Sequence, residues 1–208
     1  MILEETSYAQ GLTWPDYLKQ MTVNRQRILR VLDAIRPTEA EIQAVCEAVE
    51  GHVAPLSFLI LTEDWCGDAV VNVPVVVRLA EALPNVRLRL FVRSQHAELQ
   101  DMYAAEGVLH IPVISIFDGN GQEVARFVEQ TPEVRAYKEA WLARFPEASA
   151  WRTSTDPAER RRWQRLMIRL LQELIEQYES GWWHTVWNFL LEALRRNPSK
   201  RRNLERRS

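Results

Sequence analysis

Leu56-Ser57-Phe58-Leu59-Ile60-Leu61-Thr62-Glu63-Asp64-Trp65-Cys66-Gly67-Asp68-Ala69-Val70-Val71-Asn72-Val73-Pro74 is the stretch that decides the fold. Its opening run, residues 56 to 61, is apolar except for Ser57. It is too short for a helix and too continuously apolar for a half-exposed edge, so it reads as a strand in a sheet interior. A helix follows at once, from Cys66 to about Leu83, and Pro84 ends it. Cys66 stands at the junction. The unpaired N–H groups of a helix's first turn carry partial positive charge and favour a thiolate, which makes Cys66 the leading candidate for chemistry. Glu63, Asp64 and Asp68, all within three residues of the sulfur, work against ionisation. The plainer reading of Cys66 is a buried structural cysteine, and that of Asp68 a favourable first-turn acid.

Downstream, residues 86 to 90 alternate as a strand with one basic face, and Ser94 is placed to cap a helix from about His96 to Ala105 that stops at Gly107. Residues 113 to 117 and 123 to 128 flank Asp118-Gly119-Asn120-Gly121, a strong hairpin signal. Thr131-Pro132 opens a helix to about Arg144. The order βαβ, α, ββ, α gives an α/β unit over residues 52–148, with parallel strands first and an antiparallel hairpin last.

Residues 1–51 read as an N-terminal helical segment. Thr13 caps a helix with Pro15 in its first turn, Thr22-Val23-Asn24 interrupts it, and Thr38 with Glu41 forms a capping box ahead of Ile42, Val45, Cys46 and Val49. Residues 149–208 read as a polar linker and then a C-terminal helical extension with a basic tail. Asp156-Pro157-Ala158-Glu159 starts a helix striped with Trp163, Leu166, Met167, Leu170, Leu174, Ile175 and Tyr178. Gly181 breaks it, and Trp183, Val186, Trp187, Leu190 and Leu194 make a second stripe, as in a helical hairpin.

Trp65-Cys66-Gly67 after an apolar strand, Pro74 eight residues past the cysteine, and His110-Ile111-Pro112-Val113 ahead of a strand together resemble the thioredoxin superfamily. The resemblance implies a thioredoxin-like fold, a mixed central sheet flanked by helices, here with N-terminal helices and a C-terminal helical hairpin added. It also implies that Ile111-Pro112 is a cis-proline loop facing Cys66. Thioredoxins carry Cys-Gly-Pro-Cys, whereas this chain has Cys66-Gly67-Asp68-Ala69, and Ala69 cannot close a disulfide. The buried acid that thioredoxins place six residues before the cysteine is replaced by Ile60.

These residues point to monothiol thiol-disulfide exchange in which Cys66 attacks a disulfide and a low-molecular-weight thiol resolves the mixed disulfide. Trp65, Gly67 and Asp68 would shape the approach, and the Ile111-Pro112 backbone would hold a protein partner as an added strand. The alternative is a non-catalytic thioredoxin-fold binding module. Cys46 lies on an apolar face and reads as core packing rather than as a resolving thiol. His110 would be a surface loop histidine or a group facing the thiol. No metal and no bound cofactor are expected, since the cysteines have no Cys or His at ligand spacing.

Basic and acidic residues nearly cancel, 26 against 28, so no overall field points to nucleic acid. Two cysteines do not make a disulfide framework, and the opening Met1-Ile2-Leu3-Glu4-Glu5 lacks signal-peptide blocks, from which a reducing, cytoplasmic setting is expected. No apolar run approaches the ~20 residues of a membrane span. The tryptophan stripes are expected to dock on the α/β unit or to form a homodimer, against the alternative of an interfacial membrane helix. The basic tail reads as a solvated terminus rather than a nucleic-acid contact.

Overall fold

The structure is a computed structural model and describes residues 3–199. Before the sheet come α1 Glu5–Tyr8, α2 Trp14–Gln20, α3 Arg25–Ala34 and α4 Glu39–Glu50. Thr13 caps α2 by accepting from the Asp16 N–H, and Thr38 and Glu41 form the capping box of α4. The break between α2 and α3 is held by Asp64, whose carboxylate accepts from the N–H groups of Thr22 (2.6 Å) and Val23 (3.2 Å). Asn24, with φ 59°, sits in the left-handed region at that break.

The sheet contains β1 Leu56–Thr62, β2 Val86–Val92, β3 Val113–Phe117 and β4 Glu123–Val128 in the order β2-β1-β3-β4. β1 pairs parallel with β2 and antiparallel with β3, and β3 and β4 form the hairpin. All seven residues of β1 are buried, as a continuous apolar run in a sheet interior requires. On the edge strand β2, the Arg87 guanidinium donates to the Ser57 hydroxyl and to Glu5 and lies over the Tyr8 ring, so α1 covers part of the basic face.

Between the strands run α5 Gly67–Ala82 and α6 Ala97–Ala105, and after them α7 Pro132–Leu142, α8 Ala148–Thr153, α9 Pro157–Gln177 and α10 Trp183–Arg196. Pro74 lies inside α5 and removes one donor from its ladder. Gly181 has φ 114°, a conformation that only glycine adopts readily, and it sets the turn from α9 into α10. α10 packs on α4, α5 and β4, and α9 packs on α5 and α8. Trp183, Val186, Trp187, Leu190 and Leu194 are all buried, in one apolar core shared with the sheet and the N-terminal helices. The expected docking of these stripes on the α/β unit is thus met within the chain, with Ile168 and Phe189 left exposed on the two helices.

Three local expectations change. Ser94 does not cap α6: its N–H donates to Glu63 (2.6 Å) within a short 3-10 turn, and His96 takes the cap position without a side-chain bond. The polar linker after residue 148 contains α8. α1 gives no sequence signal, because four residues are too few to show a period. The basic tail from Lys200 onward lies outside the described residues. Among those described, no helix is long and apolar enough to cross a membrane.

Candidate functional site

Cys66 is the cap residue of α5, delivered there by the buried strand β1 through the turn Glu63-Asp64-Trp65. Its Sγ donates to the carbonyl of Ile111 at 3.4 Å, and the Ile111–Pro112 peptide bond is cis. The two motifs read separately from the sequence therefore meet. Trp65 is 57% exposed, with the Arg93 guanidinium 5.7 Å above its ring. Ile111 and Pro112 are buried. Gly67 faces Leu171 of α9, whose Cδ1 would stand 3.7 Å from a Cβ placed there, an ordinary contact.

The electrostatics of the thiol differ from the expectation of an activated cysteine. Burial pushes the Cys66 thiol up to about 11, with the Asp68 carboxylate adding to the rise. The helix-start effect is present, as the N–H groups of Ala69 and Asp68 and the Lys138 charge favour the thiolate, but burial outweighs them. At neutral pH the Cys66 thiol is therefore held in its protonated form. Cys66 is 8% exposed, so it is not the near-surface thiol that a helix start alone implies.

Asp68 binds Lys138 of α7, whose Nζ lies 2.9 Å from both carboxylate oxygens. Burial raises the Asp68 pKa, against the pull of Lys138. Below this pair, Asn72 donates to the Glu129 carbonyl (2.7 Å) and accepts from the Tyr178 hydroxyl (2.5 Å), tying α5 to the end of α9. The three acids close to the sulfur are thus each engaged: Glu63 with the Ser94 N–H, Asp64 with the loop before α3, and Asp68 with Lys138.

Lys138, Asn72, Tyr178 and Leu171 are site residues that the sequence did not mark. Lys138 is 70 positions from Asp68 and has no local signature. Cys46 lies half-buried on α4, and both cysteines are free. The His110 side chain is 68% exposed, with Nδ1 3.8 Å from Glu129, and fits the surface-loop reading. Among the described residues no group of three or more His, Cys, Asp or Glu side chains is arranged to hold a metal ion. A cavity of about 610 Å³, lined by Tyr8, Leu59, Phe91 and Met102 among others, shares no residue with the Cys66 site.

With strand, helix start and cis-proline loop in place, comparison with known proteins has a geometry to meet. A thioredoxin family model matches residues 11–142, well over half of the chain. The chain belongs to the thioredoxin family. The match begins at residue 11, so α2, α3 and α4 lie inside it, while α8, α9 and α10 lie beyond it. A protein of unknown function from Pseudomonas aeruginosa is similar over 93% of this chain and 98% of its own, with TM-score 0.58 and 16% identity. An HIV 4E10 epitope-scaffold is similar over 92% of this chain and 98% of its own, with TM-score 0.59 and 14% identity. At such identities these two show the fold alone. A search of curated proteins finds no match to this sequence.

Proposed function

We propose that this thioredoxin-like protein carries out monothiol thiol-disulfide exchange through Cys66. The observation that supports this reading is the 3.4 Å approach of Sγ to the Ile111 carbonyl, which brings the one thiol of the site against the loop where a partner strand would lie. Cys66 gives its proton to solvent and attacks one sulfur of a partner disulfide. A new S–S bond forms as the partner's breaks, and the departing sulfur takes up a proton. Ala69 offers no second sulfur, so a low-molecular-weight thiol resolves the adduct. Two equivalents of that thiol supply the two electrons that reduce the partner. Trp65 and Gly67 border the approach, while Asp68, paired with Lys138, adjusts the thiol from behind. A reducing, cytoplasmic setting suits this chemistry.

The raised thiol pKa favours a second reading, a partner-binding module with an idle cysteine. The readings part at Ala69→Cys. With thioredoxin-like local geometry, the added sulfur sits one helical turn from Cys66 and resolves the adduct itself. Disulfide reduction assayed with dithiothreitol as the terminal reductant is then expected to rise by roughly tenfold or more over the wild type. A variant that folds but turns over no faster would favour the binding module.

A further inference from the structure

The C-terminal extension gives the Cys66 site a charged wall. Leu171 meets Gly67 and Tyr178 bonds to Asn72, so α9 and α5 run in the same direction along this contact. At 1.5 Å per residue, Ile168 lies about 4.5 Å, Arg165 about 9 Å and Arg161 about 15 Å beyond Leu171 along α9, on the side of Gly67 from which Trp65 and Cys66 enter α5. Helical spacing puts Gln164 and Arg160 in line with Leu171, and Ile168, Arg165 and Arg161 in the adjoining row. Ile168 is 54% exposed. Arg160, Arg161, Arg162, Arg165 and Arg169 are all exposed, and among the described residues none of them forms an ion pair.

Cations close to a helix N-terminus are opposed by the macrodipole, so arginines at 160 to 162 do not serve the stability of α9. Glu63, Asp64 and Asp68, the acids nearest the sulfur in sequence, each accept hydrogen bonds from protein partners, and the Arg93 guanidinium lies over Trp65. An approaching chain meets exposed apolar groups, Trp65, Ile168 and Leu109, bordered by arginine.

We propose that the partner of Cys66 is an acidic polypeptide segment whose disulfide is steered onto the thiol by Arg160, Arg161 and Arg165 of α9. This rests on the exchange reading and names its substrate class. A lipid surface fits less well, since the apolar face of α9 is buried and would offer a bilayer only charge and Ile168. A nucleic acid has no chemistry to place at a thiol.

The test uses the full chain carrying Cys46→Ser and three peptides of equal length. Each peptide holds one cysteine as its 2-pyridyl disulfide, flanked by Glu, Gln or Lys, and release of 2-thiopyridone reports attack by Cys66. The Glu peptide is expected to react at least ~10-fold faster than the Lys peptide at low salt, and the ratio to shrink at about 0.5 M salt. In R160Q/R161Q/R165Q the ratio is expected to fall to near one. Equal rates for the three peptides with the wild-type stripe, or a preference that survives the triple variant, would overturn the assignment and leave exchange at Cys66 standing. If no peptide reacts at Cys66, both readings fall. Binding of phosphatidylglycerol vesicles or a single-stranded oligonucleotide that the triple variant loses, with indifferent peptides, would give the stripe to another class of partner.

Discussion

Asn in place of Asp68 is expected to make Cys66 react with iodoacetamide roughly tenfold faster at pH 7. The sign follows from the charges: the Asp68 carboxylate raises the thiol pKa and Lys138 lowers it, so removing the carboxylate leaves the ammonium to favour the thiolate. Well below its pKa, each unit of lowering gives about ten times more thiolate. Lys138→Met is expected to act in the opposite direction and to destabilise the fold by about 1–3 kcal/mol, because it leaves the half-buried Asp68 carboxylate without its partner. Reaction rates by mass spectrometry and denaturation midpoints read the two effects. An Asp68→Asn protein that reacts no faster than the wild type would mean that burial alone sets the thiol.

Trp187→Ala is expected to cost about 3–5 kcal/mol of stability, read from chemical denaturation. Trp187 is fully buried on α10 and stacks edge-on with Trp183 at 5.7 Å, in the layer that α10 lays over α5 and β4. The same burial predicts that a chain truncated after Phe145 aggregates, since each lost side chain was worth ~1.5–3 kcal/mol of covered surface. A shift below about 1 kcal/mol for Trp187→Ala would mean that α10 does not rest on the domain as described. The C-terminal pair therefore acts as a structural layer and, through Leu171, as one wall of the site.

What the sequence disclosed divides by range of interaction. The β1 run, the Thr38 and Glu41 capping box, the turn at 118–121 and the helix starts at Thr131 and Asp156 are set by neighbours within a few positions, and each is found where its pattern puts it. The position of Cys66 was legible for the same reason. Its pKa was not, because the thiol is desolvated by groups far away in the chain, among them the Ile111 loop, and balanced by Lys138, all brought together only by folding. Ser94 failed as a cap because Glu63, 31 residues away, takes its N–H. The stripes in the C-terminal extension announced burial without saying against what, and the structure supplies α4, α5 and β4.

The most direct measurement is the location of a trapped adduct. The full chain with both cysteines is mixed with a peptide disulfide at about pH 9, where the thiolate of a group with a raised pKa becomes accessible, and the products are mapped by mass spectrometry. The peptide is expected on Cys66, persisting without added thiol and released by glutathione. An adduct confined to Cys46, or none on Cys66 even in Asp68→Asn, would contradict exchange at this site.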